Sequence, residues 1–188
     1  MKFLEKRAYK RAKKFSKFCK NIIGKNKRIL DVGMGNGTIA KQIQKDYNAD
    51  IKGVDVIDYN LTDIPLNIYD GKKIDFKDNS FDIVLIMEVL HHCDDAIAVL
   101  KEVKRVTKDK IIIFEDVYTS KIHKIITYLY DFIMNIRHSV NVPFNFKNQR
   151  EWVNIFKELD LRLVEVRPYP HNPFYCPMKT RMFVLEQQ

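Results

Sequence analysis

A single α/β domain built on a doubly wound, mostly parallel sheet is the fold class that this 188-residue sequence predicts. Three observations carry the prediction. Short, almost wholly apolar runs recur along the chain, as strands buried on both faces require. Stretches with helical periodicity separate them, the alternation that joins parallel strands through covering helices. A glycine-rich loop, Gly33-Met34-Gly35-Asn36-Gly37, follows the first run and precedes a helical pattern, the local order found where a Rossmann-like sheet meets a ligand.

The elements follow in order. Leu4, Ala8, Ala12, Phe15, Cys19 and Ile22 recur at steps of three and four, which marks an amphipathic helix with a cationic outer face. Gly24 ends it in the manner of a C-cap. Arg28–Val32 (RILDV) is a buried strand. Asn36 or Thr38 opens the next helix, in which Ile39, Ala40, Ile43 and Tyr47 share a face. Ile51–Val56 is a second strand, Leu66–Tyr69 a weak third and Phe81–Met87 (FDIVLIM) a strong fourth. Asp94 or Asp95 caps a helix whose core face is Ile97, Leu100, Val103 and the stem of Lys104, and Lys110–Phe114 is a fifth strand.

After Asp116 the pattern changes. Ser120–Arg137 reads as a helix dense in Ile, Tyr, Leu, Phe and Met, followed by a polar loop with Pro143 and a helix around Gln149–Leu159. Leu161–Val166 and Arg181–Leu185 are closing strands separated by the proline-rich RPYPHNPFYCP, which predicts a C-terminal antiparallel hairpin strand on the sheet. Residues 1–188 thus read as one domain, with no internal repeat and no linker.

Composition bounds the function. A hydrophobic content of 46% and a charged content of 30% are ordinary for a soluble globular chain. Cys19, Cys93 and Cys176 are an odd count with no CxxC pair, which argues against a disulfide framework or zinc cluster and fits a reducing compartment. The N-terminus lacks an apolar signal core, and no window reaches the roughly 18 apolar residues of a membrane span, so a cytoplasmic protein is expected. Residues 1–28 hold twelve lysines and arginines against Glu5, a net of +11 that leaves the rest of the +9 chain near −2. The basic character belongs to that one segment.

The acids around the glycine loop define what it can hold. Asp55 ends the second strand 20 residues beyond Gly35, where a carboxylate accepts ribose hydroxyls. Asp31 lies two residues before Gly33 and would repel a pyrophosphate but suit an ammonium group. The dinucleotide pattern GxGxxG also fails, because Thr38 stands at its last position. An adenosine attached to something cationic fits better than a phosphate.

DVGMGNG, the acid ending the second strand and YDGKKIDFKDNSFDIVLIMEVLHHCDD together resemble the class I S-adenosylmethionine-dependent methyltransferases. More narrowly they are similar to the small "methyltransferase domain 11"-like branch, whose typical line reads D-A-x-x-L-P-F-x-D-x-S-F-D-x-V followed by L-H-H. The match covers about residues 28–116, with Asp75 where proline is usual and Gly71 where alanine is usual. The resemblance implies a seven-stranded sheet of the class I type, S-adenosylmethionine as cofactor and S-adenosylhomocysteine as product. It implies that Gly33, Met34 and Gly35 pack on the methionine part with Asp31 near its amino group. Asp55 would hold the ribose, Val56 the adenine, and Asp70 with the Gly71 backbone the adenine amine. Met87 and Glu88 would lie beside the methionyl end and the sulfonium.

His92 matches the second histidine of the LHH and is the candidate base or acceptor-positioning residue; a loop-ordering histidine is the alternative. Adjacent residues seldom converge on one ion, so His91-His92-Cys93-Asp94 is read as binding no metal, and Cys93 lacks the setting of a nucleophile. Asn172-Pro173-Phe174-Tyr175 is read as a connecting turn. On this division residues 1–25 are a basic helix, 28–116 the cofactor-binding core, 117–147 an acceptor lid and 148–188 the closing elements. Tyr118, Tyr128, Tyr130, Phe132, Phe144 and Phe146 suit the lid to a small-molecule or lipid-like acceptor, unless that face merely covers the sheet edge. The basic helix leaves three readings open: a solvated face, an anionic-membrane contact, or a contact with tRNA or rRNA that its scarcity of aromatics disfavours. A cofactor-binding regulatory protein without turnover is the remaining alternative.

Overall fold

The computed structural model describes residues 3–135, 143, 145–170 and 177–187. Seven strands form one mixed, mostly parallel sheet in the order β3-β2-β1-β4-β5-β7-β6. They are β1 (Arg28–Val32), β2 (Asp50–Asp55), β3 (Leu66–Ile68), β4 (Phe81–Met87), β5 (Thr107–Asp116), β6 (Leu161–Pro168) and β7 (Thr180–Gln187). The strand order turns back between β1 and β4, the kind of reversal at which open α/β sheets bind ligands. The helices are α1 (Phe3–Phe18), α2 (Lys20–Ile23), α3 (Thr38–Tyr47), α4 (Ala96–Val106), α5 (Lys121–Asn135) and α6 (Gln149–Glu158), with a 3₁₀ turn at Leu90–His92. The chain forms two compact units, one of residues 1–85 with 105–109 and one of residues 86–104 with 110–188.

In the first unit β1 pairs in parallel with β2, and β2 with β3. Their side chains Ile29, Leu30, Val32, Ile51 and Val54 are buried; β1 is covered along Ile29–Val32, whereas Asp50 and Lys52 of β2 are exposed. The expected N-terminal helix is two: the chain breaks at Cys19, whose N–H is shared between the Phe15 and Ser16 carbonyls, and α2 ends at Gly24 with φ 68°. Ala12, Phe15 and Ser16 form the buried face of α1, and Cys19 is buried at the break. Polar bonds lock α1 to α3: the Tyr47 hydroxyl donates to the Ser16 carbonyl at 2.6 Å, and Ser16 Oγ donates to Asp46 at 2.6 Å. At the base of the unit Arg105 donates to the Ile74 and Phe76 carbonyls, fixing the segment before β4.

In the second unit β7 pairs antiparallel with both β5 and β6, so the C-terminal hairpin places its second strand inward. The core of α4 is Ala96, Val99, Leu100, Val103 and Val106; the expected Ile97 is 40% exposed. The expected Leu100 and Val103 are in the core; the buried face extends on the side of Ala96 and Val99, which leaves Ile97 toward solvent. Helix α6 begins with a capping box, in which Glu151 N–H donates to Asn148 Oδ1 at 2.9 Å and Asn148 N–H donates to Glu151 Oε2 at 2.7 Å. Its Trp152 and Phe156 are buried, and Phe156 meets Phe183 of β7 edge-on at 5.3 Å.

Helix α5 is inverted. Ile122, Ile125, Leu129 and Ile133 are 58–73% exposed, whereas Thr127 and Asp131 are buried. Within the expected lid segment, α5 therefore turns these four aliphatic side chains outward, while Phe146 is buried. Phe144 and Asn172–Tyr175 lie outside the described residues. Replacing Asn148 by Ala removes one half of the α6 box and is expected to lower unfolding stability by about 1 kcal/mol, read from urea denaturation.

Candidate functional site

The loop after β1 is built around an acid. Gly33 and Met34 N–H both donate to the Val54 carbonyl of β2, at 2.8 and 3.3 Å, which turns the chain sharply at φ 72° on Gly33. The Met34 side chain then lies on Gly53, where any Cβ would collide with it. Gly35, at φ 58°, donates its N–H to Asp55 Oδ2 at 2.7 Å, and a Cβ placed on it would meet nothing within 4 Å. The ridge of the loop is thus open on the side where a ligand would lie. Gly37 packs against Asn60 and Thr62, and α3 starts with Asn36 Oδ1 accepting from the Thr38 N–H at 3.1 Å.

Asp55 is committed to the backbone: its other oxygen accepts from Val56 N–H at 2.7 Å. Asp31 is the opposite case. It is wholly buried, and neither carboxylate oxygen has a hydrogen-bond partner among the described residues. Burial, and then the charge of Asp55, push its carboxyl up to about 8. No lysine or arginine lies between Asp31 and Gly37. A buried acid with empty lone pairs beside an open glycine turn is an acceptor for a cation, and a poor host for a phosphate.

Asp70 is exposed and bonded within its own turn, accepting from Lys73 and Lys72 N–H at 2.9 Å each, which holds its carboxyl below the usual range. The following Gly71, at φ 76°, is so close to Val56 that a Cβ there would stand 3.4 Å from Val56 Cγ1. Val56 itself is 53% exposed, an aliphatic face left open beside that turn. Asp31, Gly33, Met34, Gly35, Asp55 and Val56 thus gather at the ends of β1 and β2, and Gly71 joins them through Val56.

In the second unit the residues after β4 hang on one buried acid that the sequence reading did not single out. Glu115, near the end of β5, is fully buried; its Oε1 accepts from Val89 and Leu90 N–H at 3.0 and 2.7 Å, and its Oε2 accepts from His91 Nδ1 at 2.6 Å. Glu88 enters this turn at φ 58°, a left-handed conformation costly for a side chain with a Cβ, with its N–H donating to the Phe114 carbonyl at 2.7 Å. Phe146 stacks on the His91 ring at 4.5 Å, and Asn145 Nδ2 donates to the Cys93 carbonyl at 2.7 Å.

Burial works against a charged His91, but Glu115, Asp116 and Asp131 outweigh it and hold the imidazole up to about 9. His92 goes the other way: burial and then the neighbouring His91 push it down to about 4, so it is neutral at ordinary pH. Burial, and then Glu88, push Asp116 up to about 7 although the Thr180 hydroxyl donates to it. Burial, then Glu115, push the Cys93 thiol up to about 12, the range of an inert thiol. Asp131, the lone acid of α5, faces the two histidines. Two signals in the sequence mark these missed residues: an acid closing an apolar strand, and a single acid inside a fifteen-residue helix of otherwise neutral or basic side chains.

Comparison with known proteins places these observations. Residues 30–114 match the family described as a methyltransferase domain. A ubiquinone biosynthesis O-methyltransferase of Neisseria meningitidis is 27% identical over 101 residues, 47% of this chain and 42% of that protein. An uncharacterized methyltransferase of Schizosaccharomyces pombe is 31% identical over 123 residues, 55% of this chain and 44% of that protein. The chain thus spans less than half the length of these two relatives. An S-adenosylmethionine-dependent methyltransferase of Methanosarcina mazei superimposes with a TM-score of 0.68 at 16% identity, over 90% of this chain and 96% of the other, a likeness of fold.

A carboxyl whose pKa is raised by folding stabilises the fold fully below its unfolded value near 4 and loses that contribution as pH rises toward 8. Asp31→Asn is therefore expected to raise the melting temperature relative to the parent chain, by a gap that widens from pH 5 to pH 9. A gap that stays constant with pH in parallel thermal melts would contradict the buried, unpartnered carboxyl.

Proposed function

We propose that this chain, whose residues 30–114 match the methyltransferase-domain family, is a class I S-adenosylmethionine-dependent methyltransferase that transfers a methyl group from S-adenosylmethionine to a small-molecule or lipid-like acceptor. The observation that carries the reading is Asp31: a buried carboxyl with no hydrogen-bond partner among the described residues, beside a glycine turn free of cationic side chains, fits the amino group of an aminoacyl ligand. Asp31, Gly33, Met34 and Gly35 are assigned to the methionyl part. Asp55 is assigned to the ribose, Val56 with its open face to the adenine ring, and Asp70 with Gly71 to the adenine amine. Met87 and Glu88 are assigned to the methionyl end in the second unit. The cofactor, when bound, supplies an electrophilic methyl on a positive sulfur.

Because that transfer is strongly downhill, holding the acceptor in line supplies much of the rate. His92, neutral and one-fifth exposed, suits the positioning of an acceptor; its low basicity makes it a weak proton acceptor. The outward apolar face of α5 supports a lipid-like acceptor, as does the name of the Neisseria relative. A second reading, methylation of tRNA or rRNA, draws on α1, whose Lys6, Arg7, Lys10, Arg11, Lys13, Lys14 and Lys17 are all exposed. No helix among the described residues is long and apolar enough to cross a membrane.

Calorimetry with S-adenosylmethionine and S-adenosylhomocysteine tests the donor. Binding of both is expected, weakened at least about tenfold in Asp55→Ala, in line with losing a hydrogen-bonded charge. Absence of binding to the parent chain would sink the assignment. Labelled methyl transfer into cell extract, sorted into RNA, protein, lipid and small-molecule fractions, is expected to label the lipid or small-molecule fraction; label in RNA alone would instead establish the second reading.

A further inference from the structure

Two neighbouring histidines and one helix acid converge in the second unit. The donor atoms of His91, His92 and Asp131 all lie within 4.8 Å of one another. Asp131 Oδ1 stands 3.9 Å from His91 Nε2 and 4.0 Å from His92 Nε2. Both separations are too long for hydrogen bonds. They are slightly wider than the span across a single cation, since metal–ligand bonds of about 2.0–2.2 Å set two ligand atoms roughly 3–3.6 Å apart, so the side chains would draw in by a few tenths of an ångström around an ion.

The surroundings are those of a ligand set held in place. Glu115 takes the Nδ1 proton of His91 at 2.6 Å, which leaves Nε2 to face Asp131. A carboxylate on the far nitrogen is how a metal-bound imidazole is usually oriented. Glu115 cannot swing away, because the Val89 and Leu90 N–H groups hold its other oxygen, and Phe146 stacks flat on the His91 ring. His92 Nδ1 is buried with no hydrogen-bond partner among the described residues, so its outer nitrogen is the one with work to do. The 3₁₀ turn Leu90–His92 explains how adjacent residues converge: its tight winding sets the two rings at 47° with centroids 4.1 Å apart.

We propose that His91, His92 and Asp131 bind one divalent first-row transition cation, with Glu115 orienting His91. Two imidazoles and one carboxylate are the donor set of zinc and non-haem iron sites, whereas magnesium and calcium prefer all-oxygen sets. Three protein ligands leave at least one coordination position for the oxygen of a second molecule. The entry side is that of His92, 21% exposed where His91 and Asp131 are buried. All of these residues lie in the second unit, and the site stands whether or not the methyl-transfer reading holds. The competing occupant is a proton on His91 Nε2.

Chelator-treated full-length protein titrated with Co²⁺ at neutral pH decides between them. One equivalent is expected to bind with visible ligand-field absorption and to be displaced by one equivalent of Zn²⁺. His92→Ala and Asp131→Asn are each expected to weaken binding at least about tenfold, and Glu115→Gln by a similar factor. His123→Ala, which removes a histidine on α5 outside the cluster, is expected to leave it unchanged. Metal-free melts by circular dichroism establish that each variant is folded; His92, the most exposed ligand, is the one whose loss the fold tolerates best. Failure of the folded parent chain to bind Co²⁺, or undiminished binding in both His92→Ala and Asp131→Asn, overturns the proposal and leaves the proton as the occupant.

Discussion

One buried carboxylate, Glu115, organises the second unit. Taking it out of water would be prohibitive if it stood alone. Two backbone N–H groups and an imidazole N–H surround it instead, and each of those donors comes from the turn after β4. The debt of burying the acid is thereby converted into a fixed loop. Everything downstream follows: the position of His91, the stack of Phe146 upon it, and the depressed basicity of His92 beside a charged neighbour. The left-handed backbone of Glu88 is the strain this arrangement tolerates at its entrance.

The first unit shows how two aspartates of identical chemistry take opposite parts. Asp55 stands at the strand end where the N–H groups of Gly35 and Val56 point at it, so its charge is satisfied by the chain. Asp31 sits one strand over, inside β1, where the neighbouring N–H and C=O groups are spent on the β2 ladder. The first acid shapes the loop; the second keeps its bonding capacity in reserve. Mutual repulsion couples the two, so a cation near Asp31 relieves both.

Much of this was legible in the residues. The apolar runs gave the strands because a strand covered on both faces has no polar side to show, and the glycine spacing marked the open turn with its flanking acids. The C-terminal antiparallel pair was legible from two strands in succession. Other features were not. The break at Cys19 depends on one N–H shared between the Phe15 and Ser16 carbonyls, which periodicity does not record. On α4 the expected Leu100 and Val103 are buried, but Ile97, though apolar, points to water while Ala96 and Val99 take the core side. Glu115 and Asp131 escaped notice since an acid pair closing an apolar strand, or one acid within a helix, ordinarily signals a strand end or a solvated edge. Only three-dimensional proximity reveals that both face His91, with Asp131 near His92 as well.

The inverted helix α5 has a consequence for how its roll about its own axis is fixed. An ordinary amphipathic helix is held in rotation by its buried aliphatic side chains, so many small contacts share the duty. Here the inward side carries Thr127 and Asp131, and the isoleucines face out. The azimuth of the helix is therefore set by a few polar interactions against a standing hydrophobic torque, since turning Ile122, Ile125, Leu129 and Ile133 inward would remove a large aliphatic area from water. The rotational setting of the helix thus rests on Asp131 facing the two histidines and on Tyr128 packing near Phe146, against the pull of its outward aliphatic side chains.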